Sequence, residues 1–563
     1  MSRWFEYAAF LGVVLVLAQP VGVYVARVFG RQPTFLDPVL RPVELVLLRT
    51  LGVDAEREMS AGVYIGSFVL FGTAGTLALF ALLLVQSWLP GGPDPRYVTT
   101  PMTVDLAANV AWSFSTTTTW QAYSGETTLR YVVQVVGLAS QNFLSGAAGL
   151  AAGIAFIRGF AREGAATLGN FWVDLCRGLL WLLLPVSFVG GLFLVWQGVP
   201  LNLSPYVEAH PLDGGIQILP QGPVAAIELI KNLGTNGGGF FNANGAHPYE
   251  NPTPLTSFVS LLAMAVLPAS LPVAFGHMTQ RPRAGSVLLA VMVLLFAAGL
   301  VLTDHAEAST PARLIDLGVT GGNMEGKETR FGIGSSVLTA VVTSNTATGS
   351  YNSMHGSYQP LGVLVLLLNM LLGEVAFGGL GTGLYSMVMV ALAGVFLAGL
   401  MVGRTPQYLG KTIGAPEARL VSLYALFVPL FVLPLTACAA TSAAGRAGLT
   451  TNLGPRGFTE ILFAYASCMA NNGQTMAGLA TSTVFYNLTT IPVMIAGRFG
   501  LAAVALTLAG RLAQKPRRPE TVGTLPCDTL TFGALVLVAV AIIGALCYMP
   551  ALAFGPIGEA LSR

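Results

Sequence analysis

Ten stretches of this 563-residue chain run for twenty residues or more with few or no charges, and that pattern leaves little freedom of fold. They cover residues 5–28, 60–89, 129–157, 171–199, 253–277, 284–303, 357–402, 418–440, 480–510 and 529–553. In hydrocarbon every backbone N–H and C=O needs a partner inside the protein, so such stretches fold as helices. Charged residues make up 10% of the chain against roughly 25% in soluble domains. The expected fold is an all-α polytopic membrane protein with ten transmembrane helices. The seventh stretch is too long for one straight span, and "GEVAFGGLGTG" at 373–383 interrupts it with a carboxylate and five glycines.

A net charge of +2 offers no basic field, so no nucleic-acid partner is expected. The five cysteines are scattered without metal-ligand spacing and read as small apolar packing residues. The first stretch lacks a small-residue cleavage site and reads as a retained helix.

Orientation follows from Lys and Arg, which concentrate on the cytoplasmic side. The connections after stretches 1, 3, 5, 7 and 9, with their helix ends, hold 18 of the 28 basic residues, Arg31, Arg162, Arg404 and Lys515 among them. The long connections after stretches 2, 4, 6 and 8 carry acidic residues such as Asp94, Glu208, Asp316 and Glu460. Both termini and the four long connections are therefore expected outside the cytoplasm.

Each long connection ends in a short apolar segment followed by a polar one rich in small residues. These are "VDLAANVAWSFSTTTTWQAYSGE", "GPVAAIELIKNLGTNGGGFFNANG", "FGIGSSVLTAVVTSNTATGSYNSMHG" and "GFTEILFAYASCMANNGQTMAGL". Superposing the four patterns puts Gln121, Gly237, Gly349 and Gly473 in register, 116, 112 and 124 residues apart. The unit of helix, half-helix with loop, and helix occurs four times, with one extra helix at each end. The expected divisions are 1–58, 59–165, 166–280, 281–412, 413–518 and 519–563. Irregular backbone at membrane depth is tolerated where protein buries it or where it lines a watery path. Four such loops around one axis form a ring whose carbonyls can replace a cation's hydration shell. Each half-helix would aim its partly negative C-terminus at the membrane interior.

The loops, together with "GRTPQYLGKTIGAPE", resemble the KdpA family, potassium-binding subunits of bacterial Kdp potassium-transporting ATPases, over essentially the whole chain. The resemblance implies a pseudo-fourfold, channel-like subunit of the potassium-transporter superfamily in the bacterial inner membrane. It would bind periplasmic K+ in a selectivity filter and pass it through an intramembrane tunnel to a KdpB-like P-type ATPase subunit, beside KdpC-like and KdpF-like small subunits. The matching filter positions are Thr117, Thr118, Thr119 and Gln121; Thr235, Asn236, Gly237 and Gly238; Ala347, Thr348 and Gly349; and Asn471, Asn472 and Gly473. The chain departs from the family in its uninterrupted threonines 116–119 and in its more polar third loop.

Glu374 and Arg498 are the ionisable residues set deepest in apolar stretches, and such residues usually face a cavity or a partner. Glu374 reads as a gate or pathway residue at a broken helix, or as a cap on the second half-helix. Arg498 reads as a fixed charge near the axis, with Glu374 as a candidate partner, or as an arginine reaching to the inner interface. The five histidines are mutually distant, and His355 beside Ser353 has no orienting carboxylate for hydrolysis. "GKT" at 410–412 lacks the leading glycine of a phosphate loop, because position 405 is threonine. No cofactor is expected beyond K+ as transported ligand, and ATP would be used by the partner alone. The chain is thus expected to be non-catalytic, and the rival reading is a Trk- or Ktr-like secondary potassium transporter.

Overall fold

The computed structural model describes residues 3–93, 97–310, 315–403, 406–519 and 524–562. Asp94, Arg404 and Thr405, used above for orientation and for the phosphate-loop argument, lie outside the described residues.

Among the described residues, ten helices are long and apolar enough to cross a membrane. They are α1 (Arg3–Phe29), α3 (Ala61–Leu84), α5 (Val133–Ala161), α6 (Phe171–Trp196), α8 (Pro254–Met278), α9 (Pro282–Ala308), α12 (Thr382–Val402), α13 (Ala415–Thr441), α15 (Val484–Gln514) and α16 (Leu530–Leu561). Between them lie α2 (Asp37–Thr50) and α11 (Pro360–Leu371), and four half-helices. The half-helices are α4 (Val104–Ser115), α7 (Ala225–Leu233), α10 (Gly332–Asn345) and α14 (Gly454–Ala470). The overlong seventh stretch is two helices, α11 and α12, joined by an irregular segment at 372–381.

Polar residues set the boundaries. Thr103, Thr253, Thr483 and Thr529 accept backbone N–H groups as N-caps, and at Thr253 the side chain of Thr256 completes a reciprocal capping pair. Gly410 follows Leu409 at the turn of a two-residue hairpin between β1 (Gln407–Tyr408) and β2 (Lys411–Thr412), both turn residues with positive φ. The "GKT" fragment is therefore a β-turn and its exit. Lys411 Nζ donates to the carbonyls of Arg162 and Lys515 at 2.6 Å each.

Burial of the spanning helices alternates in a way that exposes the repeat. The apolar window of α3 is 28% buried and that of α5 83%; the pairs α6 and α8, α9 and α12, and α13 and α15 read 33 and 67, 44 and 56, and 28 and 67%. Each unit thus places its first helix at the periphery and its second near the centre. Small residues permit the central packing: a methyl added to Gly153 of α5 would lie 2.6 Å from the Gly381 Cα.

Several ion pairs gather on one face. Arg162 makes a two-pronged pair with Glu58, Arg31 meets Glu56, Arg177 meets Glu44, and Lys515 meets Glu417, all at the ends of the helices remote from the four loops.

Candidate functional site

The four half-helices end alike. In each, the residue five past a common helix position is lifted by a backbone hydrogen bond of the same register: Thr118 N to Ser113 O, Asn236 N to Lys231 O, Thr348 N to Thr343 O and Asn472 N to Ser467 O, 2.9–3.3 Å. The residue before each donor has left-handed backbone: Thr117 at φ +62°, Thr235 at +49°, Ala347 at +52° and Asn471 at +53°. The residue after it is left-handed too: Thr119 at +46°, Gly237 at +80°, Gly349 at +78° and Gly473 at +84°. Four sequences with little identity adopt one backbone.

This register corrects the sequence alignment of the first loop. Thr119 stands where the other loops have glycine, and the spacings are 118, 112 and 124 residues. Gln121, two residues on, contributes its side chain instead: its Oε1 accepts from Gly239 N at 2.9 Å and its Nε2 donates to Gly239 O at 3.2 Å. The different spacing read from sequence came from matching turn composition, which hid a threonine in a glycine conformation.

The loops close on one another in chain order. A methyl added to Gly237 would overlap the Thr348 carbonyl oxygen, one on Gly349 the Asn472 carbonyl, and one on Gly473 the Thr118 carbonyl. At the fourth junction the Thr119 hydroxyl itself reaches the Asn236 carbonyl. Thr118, Asn236, Thr348 and Asn472 thus define a ring with alternating threonine and asparagine, all buried. None of the ring residues is ionisable. The ring offers neutral oxygens to a cation.

A small cavity lies against the ring's helix-terminal side. It is lined by Thr117, Thr235, Ala347 and Asn471, one from each loop, with Gly379, Leu380 and Arg498 among the others. All four half-helix C-termini point toward it, which concentrates partial negative charge there. The broken seventh span forms part of the wall: Leu380 N donates to Thr235 Oγ1 at 3.1 Å, and Gly378 N to Asn345 O at 2.9 Å. Five residues of the break, Gly373, Glu374, Phe377, Gly378 and Gly381, have positive φ.

Glu374 is buried and its Oε1 accepts from Asn472 Nδ2 at 2.9 Å, so it touches the fourth loop directly. It does not cap α12, whose N-cap residue is Gly381 and bears no capping bond. Arg498 is buried in a π-helical turn of α15, donates to the Ser145 carbonyl at 2.5 Å and lies over the Phe68 ring. It therefore does not extend to the interface, and its hydrogen bond goes to α5 rather than to Glu374, which corrects the suggested pairing. His355 is also buried, and burial pushes its pKa down to about 3, which keeps the ring neutral.

Sequence reading missed the polar side chains behind the loops. Ser145 on α5 meets the Asn236 side chain at 3.0 Å, and Lys231 within α7 is fully buried. The signal for Lys231 was present: a Glu and a Lys three residues apart in a short, otherwise apolar half-helix.

Comparison with known proteins gives the family. The family description matching residues 8–561 is "KdpA: Potassium-transporting ATPase A subunit". The chain belongs to the KdpA family.

Among its KdpA relatives, a potassium-transporting ATPase potassium-binding subunit of Methylorubrum extorquens is 49% identical over 559 residues, 99% of this chain and 97% of that protein. The protein of the same description from Bradyrhizobium diazoefficiens is 46% identical over 562 residues, 100% and 98% of the two. By structure, the chain is similar to the potassium transporter TrkH from Vibrio parahaemolyticus, with a TM-score of 0.52, 14% identity, and 87% of this chain and 96% of that one covered. At that identity the likeness concerns the fold alone.

Proposed function

We propose that this chain is the potassium-binding, channel-like subunit of an ATP-driven, high-affinity potassium uptake pump. The ring is its selectivity filter, made by Thr117–Thr119 with Gln121, Thr235–Gly238, Ala347–Gly349 and Asn471–Gly473. Potassium enters from the periplasmic face and sheds water against the ring oxygens. The cavity beneath holds it in the field of the four helix C-termini. Arg498, a fixed positive charge on that cavity wall, opposes straight passage to the cytoplasm, and Glu374 couples the broken helix to the fourth loop. The ion leaves by an intramembrane tunnel to a KdpB-like P-type ATPase subunit, which alone uses ATP, in a complex with KdpC-like and KdpF-like small subunits in the bacterial inner membrane.

The observation that carries this reading is the closed fourfold ring of neutral oxygens in a member of the KdpA family. The clustering of Arg31, Arg162, Arg177 and Lys515 at the helix ends remote from the loops supports a periplasmic loop face and periplasmic termini. The repeat boundaries 59–165, 166–280, 281–412 and 413–518, with an added helix at each end, follow from the same reading.

The test is co-purification with a P-type ATPase subunit and measurement of its ATP turnover. Turnover that rises with micromolar potassium and loses that dependence in Gly237→Asp is expected. Normal potassium uptake by this chain alone, without ATP, would overturn the pump in favour of a Trk-like transporter.

A further inference from the structure

Three buried ionisable side chains stand behind the second loop and take no part in the ring. Glu228 and Lys231 lie on α7, and Glu250 follows the loop; all three are no more than 2% exposed. Lys231 Nζ pairs with Glu228 Oε2 at 2.7 Å and also with Glu250 Oε2. A cluster so expensive to desolvate needs a reason, because apolar side chains of similar size would fill the space at lower cost.

The hydrogen bonds show what the cluster holds. At the near end of the loop, the Lys231 carbonyl accepts both Asn236 N, at 2.9 Å, and Gly237 N, at 2.8 Å. At the far end, Glu250 Oε1 accepts Phe241 N at 2.8 Å. The segment 236–241 is thus tied at both ends to two residues that are themselves joined by an ion pair. That closes a loop of contacts around three consecutive glycines, the backbone with the most conformational freedom to lose. Further contacts buttress the far end of the clamp: Phe241 stacks on His247 with ring centroids 3.7 Å apart, and Arg330 donates to the Ala246 carbonyl at 3.1 Å.

The equivalent positions in the other repeats sharpen the point. Ser113 performs a neutral version in the first loop, its carbonyl taking Thr118 N and Thr119 N while its hydroxyl donates to Trp120 O at 3.0 Å. Thr343 and Ser467 use only their carbonyls, and their hydroxyls have no partner among the described residues. Among the described residues, only the glycine-rich loop has an ion pair joining the residues that hold its two ends, and its stretch 237–239 has no side chains of its own.

We propose that Lys231 and Glu250 are positioning residues that set potassium affinity and discrimination by fixing the second loop's carbonyls. They act without touching the ion. The proposal rests on the reading of the ring as a selectivity filter.

The experiment uses the assembled pump complex with Glu250→Gln, which leaves Lys231 its partner Glu228, and with the triple variant Glu228→Gln/Lys231→Met/Glu250→Gln, which removes every charge of the cluster. Both should raise the potassium concentration for half-maximal ATP turnover by at least about tenfold, a change worth about 1.4 kcal/mol. Maximal turnover should stay near wild type and rubidium should be accepted more readily, a split that general destabilisation would not produce. Wild-type affinity and discrimination in both variants would overturn the proposal. Should neither variant assemble, hydrogen exchange on the wild-type complex decides: slow exchange at Asn236, Gly237 and Phe241 without potassium is expected, and fast exchange would refute the clamp. Gly237→Ala separates the two readings. If it lowers affinity while the clamp variants do not, only the clamp fails; if it leaves affinity unchanged, the filter itself fails.

Discussion

The first and second loops reach one backbone by opposite means. The first builds it from the consecutive threonines 116–119; the hydroxyls of Thr116 and Thr118 bond each other at 2.8 Å, and that of Thr119 reaches the second loop. The second uses the glycines 237–239 and imports its rigidity from the Lys231 and Glu250 pair behind it. Thr119 adopts φ +46° although a β-branched residue is strained there, while Gly237 adopts +80° without cost. The register of hydrogen bonds from the half-helix end therefore dictates the ring's shape, and side chains only decide how each loop is held in it.

The sharpest break in this comparison comes from adding bulk where the second loop has none. Gly237→Asp combines left-handed strain with overlap of the Thr348 carbonyl, and should weaken potassium-dependent ATP turnover by about a hundredfold or more. Turnover of that variant at wild-type potassium concentrations would remove Gly237 from the ring.

The converse change should be mild. Thr119→Gly gives the first loop the residue the other three use, relieving its strained φ while losing the hydroxyl contact to Asn236. Half-maximal potassium should shift by no more than about threefold. A collapse of selectivity in this variant would show that the threonine hydroxyl, and not the backbone register, carries the first loop.

Arg498 touches the second loop indirectly, since it bonds the carbonyl of Ser145, whose hydroxyl meets Asn236. Arg498→Gln should raise potassium leak in proteoliposomes without ATP, with a smaller loss of affinity than Gly237→Asp. An unchanged leak would reduce Arg498 to a packing role.

The smallest effect should appear far from both loops. Glu58 is held down to about 2, chiefly by its two-pronged bond with Arg162 and further by the Thr167 hydroxyl. Its depressed value means the stabilisation is present above the unfolded-state value of 4.5 and is lost as pH falls toward 2. The melting temperature of Glu58→Gln should therefore approach that of the wild type across this window, while potassium affinity at neutral pH stays the same. The pair is partly exposed, so the difference should be modest.

Much of this was legible in the residues. Spans declare themselves by apolar length, so nine of the ten stretches correspond to single helices, and the charge and glycines at 373–383 marked the break in the seventh. The fourfold recurrence also showed, because each loop must follow a half-helix. What stayed hidden depends on contacts across long separations. The position of Thr119 could not be read because threonine disguises a left-handed residue, and the bonds from Thr118 N and Thr119 N to the Ser113 carbonyl fix the register. Glu374 and Asn472 lie 98 residues apart, and no local pattern joins them. The Glu250 carboxylate looks like any loop residue in "AHPYENP" until the fold brings Lys231 against it.

The most direct test of the ring as an ion site is a structure of the assembled complex with rubidium in place of potassium, read by anomalous scattering. The account predicts a peak within the ring of Thr118, Asn236, Thr348 and Asn472 that disappears in Gly237→Asp. Rubidium bound only outside the ring, or a peak undiminished in that variant, would contradict it.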